Sequence, residues 1–489
     1  MRRTALVSRA QNTYTRSMLQ HSVQSRSGVH SNRMRLRRHA RQEEAPVRSG
    51  GVFSRSDRVR RAAWRGIAPW LVGLLCLASC GKPAPPPHPL PADTPEARRE
   101  QDLDYLVATI EAIHPDPFLR MAEADFRAQV EQLRLAISEA DEASFQLGLL
   151  RLLASLQDAH CGTSAFETSA YPIALPALAE AFDEGYFLSG CTPDHLDLLG
   201  ARILSIDGHD YESLVERCAE LIPAANPHRV SSRAPRLLMS PRILHALGLS
   251  EHADRYTAEF ELPDGKRLFR EFTAGERDFN SAHHILTDVQ DLSPTIHPQP
   301  HESGAPYWWE HQPDEALIYL QYNAVQTHDE YPFDEMVEEL LARIERDDVE
   351  TLVVDVRYNG GGNNGLIDPL DDGLSALRRR GTLDHLYVLT GSQTFSSGVD
   401  VAVRLQENAG AEVVGTATGG MPNSFGNAVD FNLPNSDFEA WCSSGYFRLL
   451  EGEPPTLEPD VDVGRPWADY GVGRDTAMEW VRSQGTQAR

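Results

Sequence analysis

Between positions 317 and 416 the chain alternates two kinds of segment, and no other feature constrains the fold as strongly. Apolar runs at 317–322, 351–356, 386–390 and 411–416 are separated by stretches of helical spacing at 332–346, near 364–379 and at 396–408. Strands that alternate with helices predict a parallel sheet, because parallel neighbours need a crossover long enough to return to the same edge. Thr351-Leu352-Val353-Val354-Asp355-Val356 is an almost unbroken apolar, β-branched run, as expected of a strand covered on both faces. The fold class is therefore α/β.

The strand at 386–390 runs into Gly391-Ser392-Gln393-Thr394-Phe395-Ser396-Ser397-Gly398, where a serine opens the next helix. A serine there commonly caps the helix, its hydroxyl accepting a bond from the free N–H groups of the first turn. The same geometry suits a nucleophile. A helix N-terminus carries partial positive charge, and its N–H groups can hold a developing oxyanion. The strand at 351–356 exits into Arg357-Tyr358-Asn359-Gly360-Gly361-Gly362. Such glycines permit positive φ and close backbone approach. A tight turn fits this pattern, and so does a second oxyanion N–H. A phosphate cradle fits poorly, since no Lys-Ser/Thr follows the glycines. Two more segments carry candidate chemistry: Leu156-Gln157-Asp158-Ala159-His160, closing a helical region, and the glycine-rich 415–426 followed by Leu457-Glu458-Pro459-Asp460.

Taken together and in this order, these segments resemble the tail-specific (C-terminal-processing) serine peptidases, and most of all the branch related to the tricorn protease core. The similarity is strongest over 310–465 and extends to 98–165, where His114-Pro115-Asp116 and Asp158-Ala159-His160 also match. The resemblance implies a crotonase-like ββα spiral for the catalytic core, which periodicity alone does not show. It implies Ser396 as nucleophile, with oxyanion N–H groups from Gly361 and Ser397 and with Gly360 as a near alternative to Gly361.

The best-known members pair the serine with a lysine about twenty-five residues downstream. Here that position is close to Met421, and the chain has only two lysines, Lys82 and Lys266, neither near the motif. A serine still needs a base to become nucleophilic at neutral pH. The tricorn-like branch implies His160 as that base and Glu458 as the carboxylate orienting it, a hydroxyl–imidazole–carboxylate relay. Asp460 is the alternative carboxylate, and a structural salt bridge is the competing role for Glu458. No cofactor or metal is expected. His283-His284 lacks zinc-site spacing and reads as surface or loop, and Cys161 beside His160 reads as a structural residue.

Charge narrows the partners. Residues 1–66 hold 16 Arg against 3 acidic residues, +13, so within a total of −25 the remainder carries −38. That argues against nucleic-acid binding, which needs a basic surface. It is compatible with solubility outside the cytoplasm or with cationic substrates, and the partner that the resemblance implies is a protein or peptide substrate. The basic stretch leads into an apolar segment at 67–80 of signal-peptide length, ending in Leu77-Ala78-Ser79-Cys80, which resembles a bacterial lipobox. Cys80 is the expected lipidation site, anchoring the protein at the bacterial cell envelope, outside the cytoplasm, on a periplasmic or outer-membrane face. The start of translation is expected nearer Val52 or Val59.

The remaining organisation follows from composition. Residues 81–97 form a Pro-rich spacer. A helical module spans 98–165, with Leu103, Leu106, Val107, Ile110 and Ile113 at helical spacing. A β-rich region spans 166–304, where 199–209 fits a PDZ-like module and an ordinary hairpin equally. The peptidase core spans 305–480. Cys161, Cys191, Cys218 and Cys442 follow Cys80, and their pairing is not legible. Two functions remain in view: an extracytoplasmic serine endopeptidase, and an inactive binding or scaffold lipoprotein on the same fold.

Overall fold

The computed structural model describes residues 83–167, 170–275 and 283–487. The expected signal region and Cys80 lie outside the described residues. Helices α1 (Pro95–Ile113), α2 (Glu123–Ala136) and α3 (Glu142–Ser155) come first. Thr94 caps α1 by accepting the Ala97 N–H, and Pro95 occupies the first turn, where a missing N–H costs nothing. Asp141 caps α3 by accepting from Ser144. Leu103, Leu106, Ile110, Phe126, Phe145 and Leu149 fill the space between them, each burial contributing roughly 1.5–3 kcal/mol. Among the described residues no helix is long and apolar enough to cross a membrane.

After α3 the chain turns at Gln157, φ 52°, into β1 (Gly162–Thr163). The middle region holds β2 (Ala177–Phe182), β3 (Gly185–Cys191), β4 (Arg202–Ile206), α4 (Tyr211–Cys218), α5 (Pro227–Leu238), β5 (Arg255–Glu261) and β6 (Arg267–Thr273). Its strands pair antiparallel in the order β2-β3-β4-β5-β6, with short pieces at His209–Asp210 and His283–His284 joining β4 and β3. Every second residue of β5 is buried. Tyr256, Ala258 and Phe260 pack with Leu214 of α4 and Leu238 of α5. His283-His284 is therefore a short strand and not a loop, both side chains half-buried, and His284 Nε2 lies 3.1 Å from the Tyr470 hydroxyl.

The third part carries β7 (Tyr307–Gln312), β8 (Leu317–Tyr322), α6 (Phe333–Arg346), β9 (Thr351–Asp355), α7 (Asp368–Arg380), β10 (His385–Thr390), α8 (Ser397–Ala409) and β11 (Glu412–Gly415). They are followed by β12 (Ser424–Gly426), β13 (Val429–Asn432), β14 (Glu439–Cys442), β15 (Gly445–Phe447), β16 (Val461–Asp462) and α9 (Thr476–Gln487). One six-stranded sheet runs β16-β11-β10-β9-β8-β7, parallel throughout except that β7 is antiparallel to β8. From β8 to β11 each strand–helix step advances one position across the sheet. One face, with Leu352, Val354, Leu386 and Val388, packs on Leu340, Leu374 and Leu405 of the crossover helices. The opposite face, with Tyr319, Val353, Leu389 and Val414, is covered by Met478 and Val481 of α9. Burial on both faces explains the unbroken apolar run at 351–354.

The described residues thus show a mixed α/β fold with a helical N-terminal part and a β-rich middle. The cores do not follow chain order. β13 and β14 present Phe431, Ala440 and Cys442 to the α1–α3 core, and β1 pairs with β14 antiparallel. A two-stranded hairpin with one apolar face needs a cover, and the helical module provides it.

Candidate active site

β9 and β10 are parallel neighbours, so their carboxyl-terminal exits lie side by side, the usual place for a site in such a sheet. The two exits are laced together. The Phe395 N–H donates to the Asn359 carbonyl at 2.9 Å, the Thr394 hydroxyl to the Val356 carbonyl at 2.8 Å, and the Asn359 side-chain amide to the Tyr322 carbonyl at 2.7 Å. Beneath them Arg357 is clasped by Asp355 at 2.6 Å and Asp475 at 2.8 Å.

Ser396 sits at the turn into α8 with φ 53° and ψ −130°, and its side chain makes no capping bond to the helix. Few residues other than glycine adopt positive φ, and such strain tends to gather at active sites. The hydroxyl lies instead 3.0 Å from His160 Nε2. The two readings of this serine therefore separate: its oxygen faces an imidazole, not the first turn. Gly361, at φ 102°, passes so close that a Cβ there would lie 2.5 Å from Ser396 Cβ and 3.0 Å from its Oγ.

The N–H groups expected as oxyanion donors are not equally free. Ser397 opens α8, and among the described residues nothing accepts its N–H; its hydroxyl donates to the Gly362 carbonyl at 2.9 Å. The Gly361 N–H is already taken, donating to Asn359 Oδ1 at 2.8 Å in a local side-chain turn. Among the described residues the Gly360 N–H has no acceptor, which makes the near alternative the freer donor.

His160 stacks on Phe395, ring centroids 4.5 Å apart. Burial pushes its pKa down, Asp158 pushes it up, and the Arg229 charge pushes it down again; the net shift is downward. Asp158 accepts the His160 backbone N–H at 2.9 Å, and its Oδ1 lies 4.0 Å from His160 Nδ1, too far for a hydrogen bond but close enough for its charge to be felt. Burial would raise Asp158, but His114, His160 and Ser443 outweigh it and bring its pKa to about 2.

His114 approaches Asp158 Oδ2 through Nε2 at 3.2 Å, while its Nδ1 accepts the Asp116 N–H at 3.1 Å. Asp158 and Cys161 pull the His114 pKa up against its burial. The net shift is up, to about 9, and with the Asp116 N–H aimed at Nδ1 it is Nε2 that donates to the carboxylate. His114, Asp158 and Cys161 bring donor atoms within 4.8 Å of one another. Nε2 is spent on Asp158 and Nδ1 on an incoming N–H, so this is a hydrogen-bond cluster rather than a cation site. Cys161 and Cys442 are buried free thiols with sulfurs 3.2 Å apart.

The structure does not bring Glu458 to His160. Glu458 is exposed, and no hydrogen bond or ion pair links it to the ring among the described residues. Its neighbour Leu457 is locked by both backbone groups to Thr418, at 3.0 and 3.1 Å. Asp460 is engaged elsewhere, accepting from the Val413 N–H at 2.8 Å and the Gln406 side chain at 3.0 Å. Lys266 pairs with Asp264 in the β5–β6 turn, and the Met421 position offers no base. Sequence reasoning missed Arg229, whose guanidinium lies over the Phe395 ring, 3.8 Å from the centroid. Its only signal was Asn226-Pro227, an N-cap before proline that starts a helix.

The fold has known counterparts in shape. Mature CPAF bound to lactacystin superposes with a TM-score of 0.55 at 14% identity, covering 80% of this chain and 98% of that one. The chain has the fold of CPAF. A serine-to-alanine variant of CPAF matches equally, with a TM-score of 0.55 at 13% identity, covering 80% of this chain and 97% of the other. The photosystem II D1 C-terminal processing protease overlaps more loosely, with a TM-score of 0.36 at 14% identity over 78% of this chain and 98% of its own. No family model and no curated protein matches the chain. At this identity, what CPAF shares with the chain is its fold.

Proposed function

We propose that the chain is a serine endopeptidase in which Ser396 attacks the peptide carbonyl and His160 takes its proton. The observation that carries this reading is the 3.0 Å approach of Ser396 Oγ to His160 Nε2, from a strained turn at the mouth of a helix. The helix N-terminus and the Ser397 and Gly360 N–H groups stabilise the oxyanion. His160, held neutral by burial and by Arg229, is ready to act as base near neutral pH. Asp158 supplies the negative charge that favours the imidazolium formed during attack, and His114 holds Asp158 in place. Glu458 serves only if it moves to the ring when substrate binds. The substrate is a protein or peptide. We further propose that lipidation at Cys80 holds the enzyme at the envelope surface of a bacterium; the lipobox-like Leu77-Ala78-Ser79-Cys80 supports this.

Replacing Ser396 by Ala should abolish peptide hydrolysis and leave the fold intact. Replacing His160 by Ala should cost about 10²–10⁴-fold in rate. Retained hydrolysis in both variants would refute this assignment of nucleophile and base, whereas a folded wild type without hydrolysis would leave a binding or scaffold protein on the same fold.

A further inference from the structure

Arginines set into this fold are met by carboxylates or carbonyls: Arg357 by Asp355 and Asp475, Arg465 by Glu180, Arg378 by the Leu383 and Ala409 carbonyls. Arg229 is the exception. Only 9% of it is exposed, and among the described residues its guanidinium has no hydrogen bond and no ion pair. It is placed deliberately. Asn226 caps α5 through the Arg229 N–H at 2.9 Å, and its side-chain amide ties that helix start to the Gly419 and Pro455 carbonyls at 3.2 and 2.7 Å. The segment so anchored continues to Gly420, whose N–H donates to the Thr394 carbonyl at 2.9 Å, two residues before the nucleophile. The guanidinium therefore rests on Phe395, the ring on which His160 also stacks.

A buried cation without an anion is costly unless the anion arrives with a ligand. Everything around this one favours an arriving anion. The first turn of α5 has no acidic residue, so its free N–H groups add positive potential to the guanidinium. Arg233 follows one turn later. The rest of the body is strongly acidic, so the spot is a local inversion of charge, beside the bond-breaking atoms. Seated over the Phe395 ring, the guanidinium keeps its N–H groups unpaired among the described residues and able to form a bidentate fork.

We infer that Arg229 is a specificity residue that binds a carboxylate of the substrate, on an acidic side chain near the cleaved bond or at the peptide's free C-terminus. This rests on the serine-peptidase reading above. The groups facing His160 are Asp158 from its own segment, Arg229 from α5 and Ser396 from the β10–α8 turn. A bound carboxylate would neutralise Arg229, so that cation would no longer disfavour the imidazolium formed when His160 takes the serine proton.

The test is a defined peptide library, made in free and C-terminally amidated forms, cleaved by wild type, Arg229→Met and Arg229→Lys and read by mass spectrometry. Wild type should prefer Glu over Gln at one position near the cleaved bond, or free over amidated termini, by about tenfold or more in kcat/KM. The first outcome assigns a side-chain carboxylate and the second a terminal one. Arg229→Met should lose the preference, and Arg229→Lys, which keeps the charge without the fork, should retain part of it. The acidic limb of the pH profile should also move to higher pH in Arg229→Met, which a merely structural role would not cause. If Arg229→Met does not fold, Arg229→Lys carries the comparison. No preference in wild type, or one unchanged in the variants, overturns the inference. Labelling of Ser396 by an uncharged phosphonate, run in parallel, separates the two failures: labelled protein without acid preference refutes only the Arg229 assignment, whereas unlabelled, inactive wild type removes the catalytic reading and this inference with it.

Discussion

The contrast between Gly360→Ala and Gly361→Ala tests how the nucleophile is held. At Gly361 a new Cβ would stand 2.5 Å from Ser396 Cβ and 3.1 Å from the Phe395 carbonyl oxygen, at φ 102°. Neither neighbour can retreat easily. Ser396 is itself at φ 53°, and Phe395 is tied to Asn359. The unfavourable φ costs about 1–3 kcal/mol and the overpacking about 1–3 kcal/mol more, so Gly361→Ala should lose roughly 2–6 kcal/mol and displace Ser396. At Gly360 a Cβ would meet nothing within 4 Å, and alanine keeps the free N–H. Urea denaturation with peptidase assay should find Gly360→Ala near wild type in both and Gly361→Ala impaired in both. Wild-type stability and rate in Gly361→Ala would refute the packing argument.

Further outcomes follow from the site's charges. Activity should rise with pH through a single ionisation whose midpoint lies below the 6.5 of an ordinary histidine, since His160 is shifted down; a midpoint near a lysine value would displace His160 as base. The drop of Asp158 from 3.8 to about 2 corresponds to about 2 kcal/mol of folding stability. This is fully present above pH 4 and is lost as pH falls through 2, and stability measured against pH in Asp158→Asn should lack that dependence. Asp158→Asn should also slow hydrolysis far more than Glu458→Gln, because only Asp158 stands beside the ring; the reverse order in kcat would restore Glu458 as the orienting carboxylate.

Much of the sheet was legible because burial on both faces leaves an unbroken apolar run, as at 351–354, and because crossover helices carry a clear period. The serine turn and the glycine turn were legible for a related reason: strand exits need glycine and capping residues. Which glycine N–H is left free was not. Whether the Gly360 or the Gly361 N–H is free depends on where one amide oxygen, Asn359 Oδ1, turns. Which carboxylate lies near the His160 ring was also hidden, since Asp158 and Glu458 look alike in a sequence and differ only in what surrounds them. Arg229 lay beyond reach altogether. Its partner Phe395 is far away in the chain, and the absence of an acid beside it is a property of the folded surroundings. The sharing of β13 and β14 with the α1–α3 core is likewise a long-range fact that no local pattern contains.

The central claim is that Ser396 is a nucleophile activated by His160. It is tested most directly by treating the protein with a fluorophosphonate at neutral pH and mapping the adduct by mass spectrometry in wild type and in His160→Ala. The account predicts one adduct, on Ser396, forming at least a hundredfold more slowly in His160→Ala, about the low end of the effect of removing a general base. An adduct on another residue, or none in a folded protein that still cleaves peptides, would contradict it.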